Sequence, residues 1–232
     1  MSPGLGQRST TAVELMDAPD CDLAALRRTY ARFAAVNRLV AGWRRLYADV
    51  LRPLLSAHRS SKLLDLGCGG GDLVASLHRW ARDDGLQLEV LGVDPDPRAY
   101  AFVAERPAVA GLRFRQADSA ELVQSGERFD LVVSNHLLHH LGPADLAGVL
   151  ADSERLALRL ALHNDLRRSR LAYAAWAALS WPAAADSFLF TDGLRSIRRS
   201  YRPAELAAAV PPGWRVAPSP PFRLLLSWTP GA

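Results

Sequence analysis

From Leu23 onward, apolar and aromatic residues recur every three or four positions through Leu26, Tyr30, Phe33, Val36, Val40, Trp43, Tyr47, Val50 and Leu54. That spacing sets them along one face of a helix. It predicts a helical segment ending near His58, with Pro53 as the place where it kinks or divides. Beyond Lys62 the texture changes. Short apolar runs at 63–66, 88–93, 112–115, 131–134 and 158–163 alternate with helical patterns at 72–82, 97–105, 119–123 and 143–155. Such alternation predicts a parallel sheet whose strands are joined by helices. A third texture follows Asp165: 166–181 reads as an alanine- and tryptophan-rich helix, 183–200 has no clear assignment, and 203–210 reads as a helix with proline in its first turn. Two last apolar segments, 214–217 and 222–228, are separated by the prolines of Pro218-Ser219-Pro220-Pro221 and are expected to close the sheet as an antiparallel pair.

With 232 residues, 49% of them hydrophobic, the chain can bury one substantial core, so one domain with an appendage is expected. The division predicted is an arm over 1–20, a helical lid over 21–59, and a main domain over 60–232 with a helical insertion at about 166–200. The arm lacks periodicity, carries Pro3, Gly4, Gly6 and Pro19, and is expected to fray. No apolar run reaches the roughly 18 to 20 residues of a membrane helix, and the first eleven residues lack a signal-peptide pattern. A cytoplasmic protein is expected. Cys21 and Cys68 supply neither a disulfide framework nor a cysteine zinc site. The charge balance is basic, 28 Lys and Arg against 24 Asp and Glu. All but Lys62 of those cations are arginines, interleaved with acids, so pairs such as Arg27-Arg28 and Arg198-Arg199 read as solvated helix faces rather than as a nucleic-acid stripe.

The chemistry concentrates where 63–66 runs into Gly67-Cys68-Gly69-Gly70-Gly71. Positions without side chains let a ligand approach the backbone closely beneath a helix N-terminus. Nicotinamide and flavin enzymes use glycine turns too, but here Asp65 precedes the first glycine by two positions. A carboxylate there suits the cationic amino-acid end of S-adenosylmethionine and repels a pyrophosphate. The glycine spacing also departs from the G-x-G-x-x-G dinucleotide fingerprint. About 20 residues further on, a strand ends in Asp94-Pro95, where a carboxylate can accept ribose hydroxyls, the alternative being a cap on the following helix. A third strand ends before Asp118-Ser119. Asp118 is read either as acceptor for the adenine amino group or as an ordinary N-cap.

Residues 63–71, Val93-Asp94, Ala117-Asp118 and 129–141 together resemble the first four motifs of class I S-adenosylmethionine-dependent methyltransferases. The resemblance covers roughly 60–165. It implies a Rossmann-like α/β fold with a mostly parallel seven-stranded sheet, helices on both faces, N-terminal helices and an inserted helical lid. The implied cofactor is S-adenosylmethionine, contacted by Asp65, Gly67, Cys68, Gly69, Gly71, Asp94, Pro95, Asp118, Ser119 and Asn135, with Asn135 beneath the sulfonium. One departure is Glu154-Arg155-Leu156-Ala157, standing where this family often carries a Pro-Gly-Gly turn, which leaves the reach of the fifth strand open. Shorter matches, among them Asn164-Asp165-Leu166 and Ser196-Ile197-Arg198-Arg199-Ser200-Tyr201, resemble the methyltransferases encoded beside bacterial type III polyketide synthases. They imply O-methylation of a phenolic or quinol, lipid-like acceptor and a functional link to such a synthase.

A phenol near pKa 10 gains from a base. His139 is the leading candidate, His136 the second, and packing or capping the ordinary alternative for both. No metal is expected, because Asn135 and His136 stand where a cation cage beside Asp165 would want another carboxylate. Trp43, His140, Asp165, Tyr173 and Trp176 are expected to contact the acceptor, the aromatics forming a lid; core packing is the other reading of those rings. C-methylation of an aromatic ring and a non-catalytic cofactor-binding scaffold stay open as alternative functions.

Overall fold

The structure is a computed structural model, and it describes residues 4–183 and 185–231. The long N-terminal pattern divides into α1 (Leu23–Val40) and α2 (Trp43–Leu46), and the chain continues through a π turn, Tyr47–Leu51, and a 3-10 turn, Arg52–Leu54. Asp22 starts α1 by accepting from the backbone N–H groups of Ala24 and Ala25. The break falls at Gly42, whose φ of 70° is costly for any side-chain-bearing residue. Pro53, where the division was expected, sits harmlessly at the start of its 3-10 turn.

The alternating region gives β1 (Ser61–Leu66), α3 (Asp72–Asp83), β2 (Leu88–Asp94), α4 (Pro97–Ala104), β3 (Leu112–Gln116), α5 (Ser119–Gln124), β4 (Phe129–Asn135), α6 (Pro143–Leu156) and β5 (Ala157–Leu166). The remainder adds α7 (Arg170–Ser180), α8 (Leu189–Arg199), α9 (Pro203–Ala209), β6 (Arg215–Ser219) and β7 (Arg223–Trp228). The sheet runs β3-β2-β1-β4-β5-β7-β6. β1 to β5 pair in parallel, and β7 is antiparallel to both β5 and β6. This is the Rossmann-like architecture expected of a class I methyltransferase. β5 follows α6 without a turn and extends to its full ten residues, so the missing Pro-Gly-Gly does not shorten it.

Alternation along the strands builds a core on each face of the sheet. Leu64, Leu66, Leu91, Val93 and Val132 meet Leu122 of α5, Leu146 and Leu150 of α6 and Leu206 of α9. Leu63, Val90, Leu131 and Val133 face the other way, onto Val74 and Leu77 of α3 and onto Trp43 and Tyr47. The order of the strands reverses at β1, which has β2 on one side and β4 on the other. In sheets of this type the crevice at that switch point, beyond the strands' C-terminal ends, is where ligands bind.

The segment 4–20, expected to fray, packs against the domain. Leu5 is 2% exposed. The Ser9 N–H donates to the Arg198 carbonyl at 3.0 Å, and the Arg8 guanidinium lies 4.1 Å from the centre of the Tyr201 ring. Among the described residues no helix is long and apolar enough to cross a membrane.

Candidate active site

A cavity of about 610 Å³ opens at the switch point, its walls drawn from the glycine loop, the ends of β2 and β4, α1, α7, α8 and the segment 4–20. At one end, Gly67, Gly69 and Gly71 take φ values of 67°, 50° and 69°. Gly67, Cys68, Gly69 and Gly70 line the cavity. Gly71, expected to touch the cofactor, is instead fixed by packing: a Cβ there would lie 2.6 Å from the Phe114 ring. It starts α3 as the N-cap.

Asp65 also lines the cavity and is 1% exposed, with Oδ1 lacking any hydrogen-bond partner. Burial, reinforced by Asp72 and Asp94, pushes its pKa well above the usual carboxylate range. An ammonium group brought to this oxygen would supply the missing partner and the missing positive charge, so the residues present fit the amino-acid end of S-adenosylmethionine. Asp94 accepts the Gly69 N–H and the Asp96 N–H, each at 2.9 Å. Its carboxylate therefore both faces the cavity, with Pro95, and braces the glycine loop.

The exit of β3 is a correction. Asp118 is exposed and forms a reciprocal capping box with Glu121, accepting the Glu121 N–H at 2.9 Å while Glu121 accepts its own. Ser119 donates to Asp152 at 2.7 Å. Neither lines the cavity: Asp118 caps α5, and Ser119 is engaged by Asp152 of α6.

β4 ends on Asn135 and His136, both in the cavity wall. His136 has a φ of 60°, a left-handed conformation uncommon outside glycine, asparagine and aspartate. The corner is held by Arg223 at the start of β7, a residue that went unremarked in the sequence as one arginine at the edge of an apolar run. Only 1% exposed, it donates to Asn135 Oδ1 at 2.8 Å, Asn164 Oδ1 at 2.8 Å, the Asn164 carbonyl at 3.0 Å and His136 Nε2 at 3.1 Å. Burial and the adjacent Arg223 charge hold the His136 pKa well below that of an ordinary histidine. Its Nε2 already accepts from Arg223, so His136 is a neutral structural acceptor and a poor base.

His139 sits in the short turn after β4 and is 1% exposed. Asp165 grips it twice, through Nδ1 at 2.6 Å and through the backbone N–H at 2.7 Å. That double contact fixes the ring's orientation and, with Nδ1 protonated, leaves Nε2 toward the cavity. Nε2 has no hydrogen-bond partner; the nearest acid is Glu14, 3.4 Å away. Burial disfavours a proton on this ring, but Asp165 and Glu14 outweigh burial and raise its pKa to about 9. Asp165 lies behind the ring rather than in the cavity wall, so it orients His139 instead of contacting an acceptor.

His140 lines the cavity as expected, its Nε2 3.7 Å from Glu14 and its Nδ1 3.3 Å from Asp17. Glu14, His139 and His140 place ligand atoms within 4.8 Å of one another, the one grouping among the described residues with the make-up of a metal site. Glu14 thus supplies, from outside β4, a carboxylate that the sequence after the fourth strand lacked.

Of the expected aromatic lid, Trp176 stands in the wall. It lies so close to α8 that a Cβ on Gly193 would fall 2.1 Å from its Nε1. Tyr173 packs beside Leu5 and Ile197 and accepts a hydrogen bond from Arg198 at 2.7 Å, outside the wall. Trp43 is 3% exposed and belongs to the core beneath the sheet, so packing explains it. The apolar face predicted along α1 lies over the cavity through Tyr30, Phe33, Val36 and Val40. Sequence reasoning missed Glu14, Met16 and Asp17, and also Leu189, Asp192, Ser196 and Ile197 of the unassigned α8. A slanted spacing of Leu189, Ile197 and the small or acidic residues between them was the available signal.

Residues 63–158 match the family model described as a methyltransferase domain. The chain is 31% identical over 131 residues to a ubiquinone biosynthesis O-methyltransferase of Azorhizobium caulinodans, covering 54% of this chain and 48% of the relative. It is 32% identical over 150 residues to a protein of the same name from Methylobacterium sp. (strain 4-46), covering 62% and 56%. The chain thus spans about half the length of these curated relatives. They are named for ubiquinone biosynthesis, not for the polyketide-synthase association implied by the short sequence matches. Among solved structures, the plantazolicin methyltransferase BpumL in complex with SAH shares the fold at a TM-score of 0.59 and 14% identity, over 89% of this chain and 93% of that one. Human N-acetylserotonin methyltransferase in complex with SAM does so at 0.62 and 11%, over 91% and 57%. Residues 63–158 thus resemble a methyltransferase domain, and they lie on a sheet whose strand order is that of the class I architecture.

Proposed function

We propose that the protein transfers a methyl group from S-adenosylmethionine to the hydroxyl of a small phenolic or quinol acceptor, releasing S-adenosylhomocysteine. One observation carries this reading. A single, mostly apolar cavity has an unpartnered carboxylate oxygen on Asp65 at the glycine loop and an unpartnered imidazole nitrogen on His139 at its other polar group. The similarity to ubiquinone biosynthesis O-methyltransferases supports a hydroxylated ring as the acceptor.

When bound, the sulfonium cofactor supplies a methyl carbon open to in-line displacement. The chain's own tasks are binding, alignment and proton removal. Asp65 holds the ammonium group, Gly67 to Gly70 admit the amino-acid end against the backbone, and Asp94 offers its remaining lone pairs to the ribose. Phe33, Val40, Trp176 and Ile197 give the acceptor ring an apolar bed and exclude water. Alignment of two bound reactants is worth roughly 7 to 11 kcal/mol. Nε2 of His139 would take the hydroxyl proton and keep it on the imidazole while Asp165 holds the ring, leaving the acceptor oxygen as the nucleophile. Because the pKa of His139 is raised to about 9, the proton-accepting form grows as pH rises through that value, and turnover is expected to climb toward about pH 9.

The test is incubation with S-adenosylmethionine and a panel of alkylresorcinols and hydroquinones, with methylated product and S-adenosylhomocysteine followed by mass spectrometry. O-methylated product supports the reading. A ring-methylated product would assign C-methylation, and S-adenosylhomocysteine binding without turnover on any acceptor would favour a scaffold.

A further inference from the structure

The segment 4–20 brings one buried carboxylate to the acceptor end of the cavity. The N–H groups of Leu15 and Met16 donate to the Asp192 carboxylate at 2.7 and 2.9 Å. Arg8 donates to the carbonyls of His139 and Leu141, at 3.2 and 3.1 Å. Between these two anchors, Glu14 is 3% exposed, and its Oε1 accepts the Ser196 hydroxyl at 2.8 Å. The same oxygen stands 3.4 Å from His139 Nε2 and 3.7 Å from His140 Nε2. Burying a carboxylate is costly unless charged or hydrogen-bonding neighbours compensate it. Ser196 alone is a neutral donor, so the compensation comes chiefly from the imidazoles of His139 and His140, with the Arg199 guanidinium 4.0 Å away.

We propose that Glu14 is a positioning residue for the transfer, holding the imidazole of His139 from its Nε2 side while Asp165 holds Nδ1, so that the N-terminal segment governs the group that meets the acceptor. This rests on the assignment of His139 as proton acceptor given above. At 3.4 Å Glu14 attracts Nε2 without occupying it in a hydrogen bond, which leaves that nitrogen available to an incoming hydroxyl. Several other charged or titratable groups surround the ring. Asp165 reaches it from β5, His140 and Asp17 stand beside it, and His136 lies edge-on with ring centres 6.3 Å apart, with Arg223 beyond. From α8 and the segment, Arg199 and Arg8 donate to the His139 carbonyl. Glu14 is the acid among them that sits at Nε2. Its removal leaves the ring to Asp165 and to burial, and burial opposes the proton.

The experiment follows the histidine ring signals of the full chain by NMR across pH, with His139 assigned through His139→Gln. In Glu14→Gln the His139 midpoint is expected to fall by about one pH unit or more, the shift an opposite charge within about 4 to 6 Å produces. Glu14→Asp is expected to recover part of the shift, and S-adenosylhomocysteine affinity is expected to be unchanged in both. With an acceptor in hand, the acid side of the turnover profile moves down with the midpoint. An unchanged midpoint in a folded Glu14→Gln chain overturns the proposal. So does tight binding of added Zn2+ at His139 and His140 that Glu14→Gln abolishes, which would make the carboxylate a metal ligand. The titration needs no acceptor, so it stays decisive if no phenol is methylated.

Discussion

The two ends of the cavity are built by different means. At the cofactor end the decisive contacts are local and largely to backbone: Asp94 braces Gly69 from 25 residues away, across neighbouring strands. At the acceptor end, Glu14 meets Ser196 across 182 residues and Arg8 meets Leu141 across 133. A sulfonium amino acid presents the same groups to every enzyme that uses it, and a short loop with one carboxylate answers them. An acceptor is specific to its enzyme, and the end proposed to receive it is assembled from helices and a segment packed beyond the strand ends.

Four substitutions test that division, the first having the largest expected effect. His139→Gln should cut turnover by about 100 to 10,000-fold, the usual worth of a positioned base, with cofactor affinity unchanged. A parallel loss of S-adenosylhomocysteine binding, read by calorimetry, would show that the ends are not separable. Trp43→Ala should cost about 3 to 5 kcal/mol of stability in denaturant unfolding, as for a buried aromatic truncated to alanine. Acceptor affinity should be unaffected in the folded fraction, and a selective fall in it would return Trp43 to the lid. Asp94→Ala should weaken S-adenosylhomocysteine binding by about 1 to 3 kcal/mol, because it both loses a cavity contact and frees the Gly69 N–H. Asp118→Ala should lower stability by about 1 kcal/mol through the lost helix cap, and calorimetry should find cofactor affinity unaltered. Weaker cofactor binding would reinstate Asp118 as an adenine contact.

Much of the fold was legible because periodicity reports burial directly. Leu63 and Leu64 point to opposite faces of a sheet covered on both sides, so the strands read as continuous apolar runs. The break at Gly42 was missed because proline is the stronger general signal, whereas here the turn needs a positive φ that only glycine supplies cheaply. Spacing alone singled out Asp65, Gly67, Gly69 and Asp94, and the structure brings all four into the cavity wall. Asp118 could not be settled that way, since a cap and a ligand contact use the same residue at the same strand exit. The acceptor end was only partly visible. The histidines announced themselves by type and place, but nothing local marks Glu14 as buried or Arg223 as the tie beneath them. Both acquire their roles from neighbours far away in sequence.

Arg223 bears on the order in which the site can be assembled. β1 to β5 pair in parallel among themselves, whereas β7 comes last in the chain and sits between β5 and β6. Until it docks, Asn135, His136 and Asn164 lack the cation that joins them. A chain folded only through β5 would possess its glycine loop and Asp94, yet its acceptor corner would be untied. The last strand of the chain thus carries the cation that ties the exits of β4 and β5 together, while the glycine loop and Asp94 make their contacts without it.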